Sequence, residues 1–177
     1  MSVVSKRYAD AYLSSAEEAS SLDEVGKDIS GLLGLIEESD DFSEFLSNPL
    51  IDPDLQKSCL EKLFKGRLDS VTTDFLLLLV EKERLADLEG ILEASLHSWR
   101  EKKGILPVSV TSAQDMSADQ KKALEKKLAD RTGKTIESTY HTDPDLLGGF
   151  RLLFQGVVED YSLAAKLHTF KRNVLNA

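Results

Sequence analysis

Apolar residues in the first part of the chain recur at intervals of three and four positions, the pattern of amphipathic helices packed on one shared core. Breakers separate these stretches: Pro49 ends the third, and Asp52 and Pro53 open the fourth as cap and first-turn residue. The pattern predicts a six-helix bundle with helices over residues 5–19, 22–38, 41–46, 53–66, 71–80 and 84–102.

The first predicted helix has two apolar faces. Ala9, Leu13 and Ala16 share one face. A second, adjacent face carries Val4, Tyr8, Ala11, Tyr12 and Ser15. A helix with two such faces can pack on its own bundle and still offer a surface.

The fifth stretch contains an unbroken apolar run from Phe75 to Val80. By itself, such a run is also compatible with a buried strand. It holds one β-branched residue and helix formers flank it, so we interpret it as the central helix, buried on nearly all sides.

The period changes after Lys103-Gly104, where we place a boundary between domains over residues 1–104 and 105–177. Alternation predicts strands at 105–111 and 135–141, with a helix between them that opens on the capping box of Ser117 and ends at Gly133. After these elements, Gly148 and Gly149 predict a turn with an unusual backbone conformation. Residues 150–158 predict a pair of strands that reverses at Gln155-Gly156. Ser162 predicts the cap of a last helix, whose apolar side carries Leu163, Leu167, Phe170 and Val174. The predicted fold class is therefore mainly α, a helical bundle followed by a small α/β domain.

Charge is distributed unevenly between the two halves. Residues 1–104 hold 12 Lys+Arg and 22 Asp+Glu, whereas residues 105–177 hold 10 and 9. The asymmetry fits two units with different partners, although solubility alone equally explains an acidic half. The formal net charge of −9 argues against a nucleic acid as partner.

Few features of the sequence indicate where in the cell the protein acts. Cys59 is the only cysteine, so no internal disulfide forms, and we expect it to be a partly buried helix residue. No apolar run of about 18 residues predicts a membrane span, and the N-terminus lacks signal- or transit-peptide features. The expected site of action is the bacterial cytoplasm.

Candidate catalytic and metal-binding groups do not assemble into a known pattern. Gly133-Lys134-Thr135 follows a helix instead of opening one, which is the reverse of a phosphate-binding loop. Ser162, Asp160 and a histidine are the residue types of a hydrolase triad, but the nucleophile-elbow motif that such a serine needs does not surround Ser162. The three histidines, His97, His141 and His168, are not spaced as metal ligands are. Trp99 is expected to pack near the end of the last bundle helix.

Several fragments, in their order and spacing, resemble the delta subunit family of F-type ATP synthases, whose mitochondrial member is the oligomycin-sensitivity-conferring protein. The fragments are Arg7-Tyr8-Ala9, Phe45-Leu46-Ser47-Asn48-Pro49, Leu60-Glu61-Lys62-Leu63-Phe64, Phe75-Leu76-x-Leu78-Leu79-x-Glu81-x-x-Arg84, Gly148-Gly149 and Asp160-Tyr161-Ser162. The chain departs from the family at Tyr161, where glycine is usual, and at Glu159, where an apolar residue is usual.

This resemblance implies a non-catalytic stator subunit without cofactors, which resists rotor torque during ATP synthesis coupled to ion translocation. In the family, the N-terminal bundle binds N-terminal helices of the alpha subunits on the catalytic head, mainly through the first and fifth helices. The C-terminal domain binds the b-type subunits of the peripheral stalk. The expected location is the cytoplasmic face of the bacterial membrane, with membrane contact only through the complex. The implied head-binding residues are Tyr8, Ala11, Tyr12, Phe75 and Leu79, and the implied motif residues are Gly148, Gly149, Asp160 and Ser162.

Two other functions stay open at this point, a free-standing helical adaptor and a small hydrolase that uses Ser162. The coupling ion, the composition of the stalk, the source organism and the helix faces that meet each alpha subunit also stay open.

Overall fold

The computed structural model describes residues 2–167 and 171. The chain divides into two units, Met1–Lys102 and Lys103–Ala177. The elements of the first unit are α1 (Val3–Glu18), α2 (Leu22–Glu38), α3 (Asp40–Ser47), α4 (Pro53–Phe64), α5 (Ser70–Glu81), a 3-10 helix (Leu85–Asp87) and α6 (Leu88–Lys103). Those of the second are β1 (Ile105–Ser112), α7 (Ala118–Thr132), β2 (Thr135–Thr142), β3 (Phe150–Phe154) and β4 (Val157–Asp160).

The mainly helical class and the small C-terminal sheet are confirmed. The bundle of six helices is not confirmed in this detail: the described residues contain eight helices, of which six α-helices and one 3-10 helix lie in the first unit and α7 lies in the second. The predicted single helix over 84–102 is wrong in its first turn. Glu83 adopts a left-handed conformation with φ 55°, and the chain then forms the 3-10 helix before α6 begins.

The core of the first unit is made by the apolar stripes of its helices. Leu13, Ile29, Leu76, Leu79 and Ile91 are at most 1% exposed. Burial of each such side chain contributes roughly 1.5–3 kcal/mol, so the amphipathic pattern is sufficient to drive the helices together.

Helices α2 and α6 meet at Gly26. A Cβ atom at this position would lie 2.3 Å from Cε2 of Trp99, whose indole N–H donates to the carbonyl of Leu22 at 2.7 Å. Trp99 is therefore packed as expected. At Gly31 and Gly34 no atom of another segment lies within 4 Å of the place that a Cβ would take, so close helix approach explains only one of the three glycines of α2.

The second unit is a four-stranded sheet in the order β2-β1-β3-β4. β1 and β2 pair in parallel and are connected by α7, and the other pairs are antiparallel. Leu106, Val108, Val110, Leu128 and Leu152 form its core. The capping box of Ser117 and Gln120 and the left-handed end at Gly133 (φ 68°) are confirmed.

The predicted reversal between β3 and β4 is also confirmed. Gln155 and Gly156 both have positive φ, 51° and 75°, as tight hairpin turns require. Residues 163–167 after Ser162 are helical, and the predicted apolar positions Phe170 and Val174 lie outside the described residues.

Candidate functional site

A groove of about 760 Å³ lies between α1 and α5. The two helices run antiparallel: Ser21, just after α1, contacts Asp69 at the start of α5, and Tyr12 contacts Thr72 and Phe75 further along. The lining residues are Val3, Val4, Arg7, Tyr8, Ala11, Tyr12 and Ser15 from α1, Val71, Asp74, Phe75 and Leu78 from α5, and Arg84 beyond it.

The wall contributed by α1 is the second apolar face of this helix. Ala9, Leu13 and Ala16 are fully buried in the bundle, which turns the neighbouring stripe outward. Along that stripe Ala11 is exposed, and Val4 is 43% exposed. The small side chain of Ala11 leaves space for another backbone to come near.

The wall contributed by α5 corrects the prediction of a helix buried on nearly all sides. Leu76, Leu79 and Val80 are at most 2% exposed, but Asp74 is exposed and Leu78 is 40% exposed. Because α5 packs at the border of the bundle beside α1, one side of it stays open to solvent. This open side is the groove.

An aromatic stack forms the floor. The rings of Tyr12 and Phe75 lie 4.2 Å apart at an angle of 7°, and the two residues are 2% and 7% exposed. Both therefore belong to the core and to the bottom of the groove at once. Such an aromatic pair contributes about 0.5–1.5 kcal/mol beyond the area that it buries, which favours this arrangement of the floor.

A chain of hydrogen bonds, buried at Tyr12 and Thr72 and half-buried at Asp28, supports this floor. The hydroxyl of Tyr12 lies 2.7 Å from Oγ1 of Thr72, which donates to Oδ2 of Asp28 at 2.7 Å. Since the one hydroxyl proton of Thr72 is directed to Asp28, Tyr12 is the donor to Thr72. Asp28 also accepts from the backbone N–H of Asp69. Burial raises the pKa of Tyr12 well above its ordinary value, so the phenol stays a neutral donor.

The same network caps α5. Asp69 accepts from the N–H of Val71 at 2.9 Å and from the hydroxyl of Ser21 at 3.2 Å. Helices α1, α2 and α5 are thus joined at one point below the groove. Apart from Tyr12, no residue of this network was predicted from the sequence as part of a site. The only signals were Asp69 as a cap before Ser70, and a threonine among apolar positions of α5.

The five residues implied for head binding do not occupy equivalent places. Tyr8 and Ala11 line the groove wall, and Tyr12 and Phe75 form its floor. Leu79 is 0% exposed and does not line the groove, whereas its neighbour Leu78 does. Of these two adjacent leucines, only Leu78 faces the groove.

The motif residues of the second unit meet where β4 leads into the last described helical turn. A Cβ atom on Gly149 (φ 86°) would lie 2.4 Å from the carbonyl oxygen of Tyr161. Gly148 has φ 116°, and its carbonyl accepts from the N–H of Leu163 at 2.9 Å. The two glycines are needed because the 148–149 backbone passes directly against the 161–163 backbone.

Asp160 and Ser162 complete this junction. Asp160 accepts from the N–H of Ser162 at 2.8 Å and from Nε of Arg151 at 3.0 Å. Ser162 is 0% exposed, and its oxygen accepts from the N–H of Ala165 at 3.2 Å. Ser162 is thus a helix cap, as predicted, and a buried hydroxyl of this kind is out of reach of a hydrolase substrate.

Tyr161 and Glu159, the two departures from the usual family motif, interact with each other and with α7. The hydroxyl of Tyr161 donates to Glu159 at 2.9 Å, and Arg131 of α7 pairs with the same carboxylate at 3.0 Å. The ring of Tyr161 packs 5.2 Å from that of Phe150. The charge of Glu159, at a position where the family usually has an apolar residue, is therefore balanced by the guanidinium of Arg131.

A second cleft, of about 850 Å³, lies within the second unit between α7 and the segment 144–150. Its walls include Met116, Leu124 and Phe150, and Leu147 beside it is 76% exposed. Lys127 and Asp115 are its charged lining residues. The cleft offers a mixed polar and apolar surface on a unit with nearly balanced charge.

The described residues hold no group of three or more His, Cys, Asp or Glu side chains arranged to bind a metal ion. Cys59 is a partly buried free thiol, as expected. Within the same part of the chain, no helix has the length and apolar character needed to cross a bilayer.

Comparison with known proteins gives consistent results over nearly the whole chain. The model of the family described as ATP synthase delta (OSCP) subunit matches residues 4–174. The protein named ATP synthase subunit delta from Carboxydothermus hydrogenoformans is 34% identical over 171 residues, covering 97% of this chain and 96% of that protein. The protein of the same name from Acetivibrio thermocellus is 33% identical over 178 residues and covers 99% of both. A chain in the cryo-EM structure of the Toxoplasma gondii mitochondrial ATP synthase hexamer matches with a TM-score of 0.75 at 25% identity, covering 98% of both chains.

Proposed function

Since the chain belongs to the ATP synthase delta (OSCP) subunit family, we propose that it links the catalytic head of the synthase to its peripheral stalk and holds the head against rotor torque. In this role it is a non-catalytic stator component that works by binding alone. It is attached to the membrane only through the complex, on the cytoplasmic side of a bacterial cell. The observation that carries the proposal is the open groove between α1 and α5, on a floor that is already fixed.

The first unit, in this proposal, binds the head through an N-terminal helix of an alpha subunit. The groove has the features of a helix-binding groove: apolar side chains at helical spacing on both walls, and the small residue Ala11 between larger ones. Tyr8, Ala11 and Leu78 contact the incoming helix. Tyr12 and Phe75 support it from below, and Leu79 contributes through the core.

The second unit binds the b-type subunits of the stalk. This proposal is supported by the family membership and by the partly apolar cleft beside the exposed Leu147, on a half of the chain with nearly balanced charge. A charged stalk helix of either sign meets little net repulsion there, whereas the first half, with a net charge of −10, would repel an acidic one.

Two binding sites on one chain explain how modest contacts can resist torque. Once one unit is bound, the other searches a small volume, so its effective concentration is raised to roughly the millimolar range. Neither contact has to be very tight alone.

Ala11→Asp tests the head-binding site. An unpaired carboxylate in an apolar helix contact should weaken binding of an alpha-subunit N-terminal peptide by about 2–4 kcal/mol, measured by titration calorimetry on the full chain. The melting temperature should change little, because Ala11 is exposed in the free protein. Ser14→Asp is the matched control: it places the same charge on α1 outside the groove lining and should leave the affinity unchanged. Equal affinity of wild type and Ala11→Asp would remove this groove from the interface.

Leu147→Asp tests the stalk site in the same way. It should weaken binding of the soluble b-type stalk segment and leave the alpha-peptide affinity intact, whereas Ala11→Asp should do the reverse. A chain that fails to co-purify with the synthase head from detergent-solubilised membranes would instead be a free-standing adaptor.

A further inference from the structure

The sheet of the second unit has two edges that differ in length and protection. β4 forms one edge with four residues, the last two of which are the carboxylates Glu159 and Asp160. β2 forms the other edge with eight residues, and among the described residues it pairs only with β1. From Thr135 to Thr142 it contains no proline, no lysine and no bulge, the features by which proteins usually protect an edge strand.

The pairing with β1 decides which backbone groups of β2 are available. The N–H of Thr135 donates to the carbonyl of Gly104 at 3.0 Å, and the N–H of Asp143 donates to the carbonyl of Ser112 at 2.9 Å. Since alternate residues of a strand bond to the same neighbour, the odd-numbered residues of β2 bond to β1. The backbone N–H and C=O groups that point away from the sheet are those of Ile136, Ser138, Tyr140 and Thr142.

Helix α7 forms a wall beside this edge. It runs opposite to β2, because Tyr140 near the end of β2 donates its hydroxyl to Glu125 in the first half of α7 at 2.9 Å, and the end of α7 leads into the start of β2. A shallow cleft of about 620 Å³ lies between the helix and the edge. Its charged lining residues are Lys122, Glu125, Lys126, Asp130 and Lys134.

The cleft has a net positive charge, and its lysines are spaced to match a strand. Lys122, Lys126 and Lys134, here called the edge lysines, are exposed and have no ion-pair partner within the described residues. Of the two carboxylates, Glu125 already accepts from Tyr140. Lys122 and Lys126 lie about 6 Å apart along the helix, from its rise of roughly 1.5 Å per residue. Side chains on one face of a strand repeat every 6.6 Å or about that, so alternate residues of an added strand meet successive lysines.

We propose that the edge of β2 binds an extended acidic segment of a partner protein, which joins the sheet as an additional strand. Backbone groups of Ile136, Ser138 and Tyr140 bind its backbone, and its carboxylates at alternate positions contact the edge lysines. This contact goes beyond the two of the proposed function. It lies on the other side of α7 from the cleft beside Leu147, which Leu124 and Lys127 line, so neither contact blocks the other.

Amide hydrogen exchange of the full ¹⁵N-labelled chain tests the pairing. The probe is a capped eight-residue peptide that alternates glutamate and valine. In the free chain the amides of Ile136, Ser138 and Tyr140 should exchange fast, and the odd-numbered amides of β2 should exchange slowly. Saturating peptide should slow the even-numbered amides by about tenfold or more.

Unchanged exchange of the even-numbered amides with the peptide present overturns the proposal. Their protection in the free chain overturns it as well. Protection that rises with protein concentration would show that a second copy occupies the edge, and protection at every concentration would show that another segment of the same chain covers it.

Charge variants test the preference for carboxylates. Lys126→Glu should weaken the acidic peptide several-fold at low salt, and the loss should shrink at high salt because ions screen exposed charges. Lys166→Glu makes the same charge change in the second unit outside the cleft lining and should leave the affinity unchanged. A peptide that alternates lysine and valine should bind several-fold more weakly than the acidic one. Equal binding of the two peptides overturns the acidic partner.

Ser138→Pro tests the backbone contact. It removes one outward N–H at an edge position, where a strand tolerates proline, so thermal unfolding should stay cooperative while the peptide no longer protects β2. If this variant does not fold, the acidic peptide N-methylated at every residue replaces it, because that peptide donates no backbone hydrogen bond. Retained protection in either experiment contradicts strand addition.

Discussion

Tyr12 has two tasks at the scale of single residues. Its ring stacks on Phe75 to form the groove floor, and its hydroxyl extends a buried chain through Thr72 to Asp28. Hydrogen bonds of this kind contribute modestly, but a buried polar atom that loses its partner is costly. The residue therefore couples the shape of the groove to the stability of the bundle.

Tyr12→Phe isolates the hydroxyl. The variant keeps the stack and removes the donor to Thr72, so the free energy of unfolding should fall by about 1–2 kcal/mol in a urea titration followed by the fluorescence of Trp99. Tyr8→Phe is the control, because no hydrogen bond of the Tyr8 hydroxyl exists within the described residues. Equal losses in the two variants would contradict the role of the buried chain.

Asp160 gives the second unit an acid-sensitive point. Hydrogen bonds from the hydroxyl and N–H of Ser162, with help from Arg151, hold the pKa of Asp160 below its ordinary value. Because the pKa of Asp160 is lower in the folded than in the unfolded state, the ionised carboxylate stabilises the fold. This stabilisation is fully present above the unfolded-state pKa, near about 3.9, and is lost as the pH falls through the folded-state pKa.

Asp160→Asn should therefore lower the stability of the second unit at neutral pH and flatten its decline in acid. Urea titrations at a series of pH values, followed by the amide signals of β3 and β4, measure both effects. Curves for variant and wild type that stay parallel down to about pH 3 would show that Asp160 does not carry the linkage.

At the scale of elements, the contact of α2 with α6 depends on the missing side chain of Gly26. The indole of Trp99 occupies the space that a Cβ would take and donates to the carbonyl of Leu22. Gly26→Ala should displace the ring and destabilise the first unit by about 1–3 kcal/mol, seen as a lower melting temperature and a shifted Trp fluorescence maximum.

Gly31→Ala is the matched control on the same helix. No atom of another segment lies within 4 Å of the added methyl group, so the variant should gain about 0.5–1 kcal/mol from better helix propensity. The two substitutions are chemically identical, so opposite signs would assign the difference to Trp99 alone. A gain in both would show that the indole moves away at little cost.

At the scale of the whole molecule, each unit has its own core and its own candidate surface. A fragment of residues 1–104 should therefore fold alone and bind the alpha-subunit peptide with the affinity of the full chain. Circular dichroism and titration calorimetry check this. A fragment without a cooperative unfolding transition would mean that the first unit requires the second.

Within the complex the two sites should reinforce each other. The full chain should bind an assembly of head and stalk at least about 100-fold more tightly than residues 1–104 bind the head alone. Equal affinities would mean that the geometry of the complex does not allow both contacts at once.

The local sequence pattern was sufficient to predict the helices and strands themselves. Helix α2 and strand β3 have the predicted bounds, and the caps at Asp52, Ser117 and Gly133 are where their chemistry placed them. This is expected, since periodicity, caps and turn residues act within a few positions of each other. The junction at Ser162 was found for the same reason.

The site depended on packing between distant segments. Periodicity placed Leu78 and Leu79 in one apolar run, and only the position of α1 beside α5 decided that Leu79 is buried and Leu78 open. The chain from Tyr12 to Asp28 joins residues 60 and 44 positions apart, for which no local signal exists. The sequence by itself determined which faces are apolar, and the tertiary structure decided which apolar face stays uncovered, because burial is a property of neighbours that only the fold supplies.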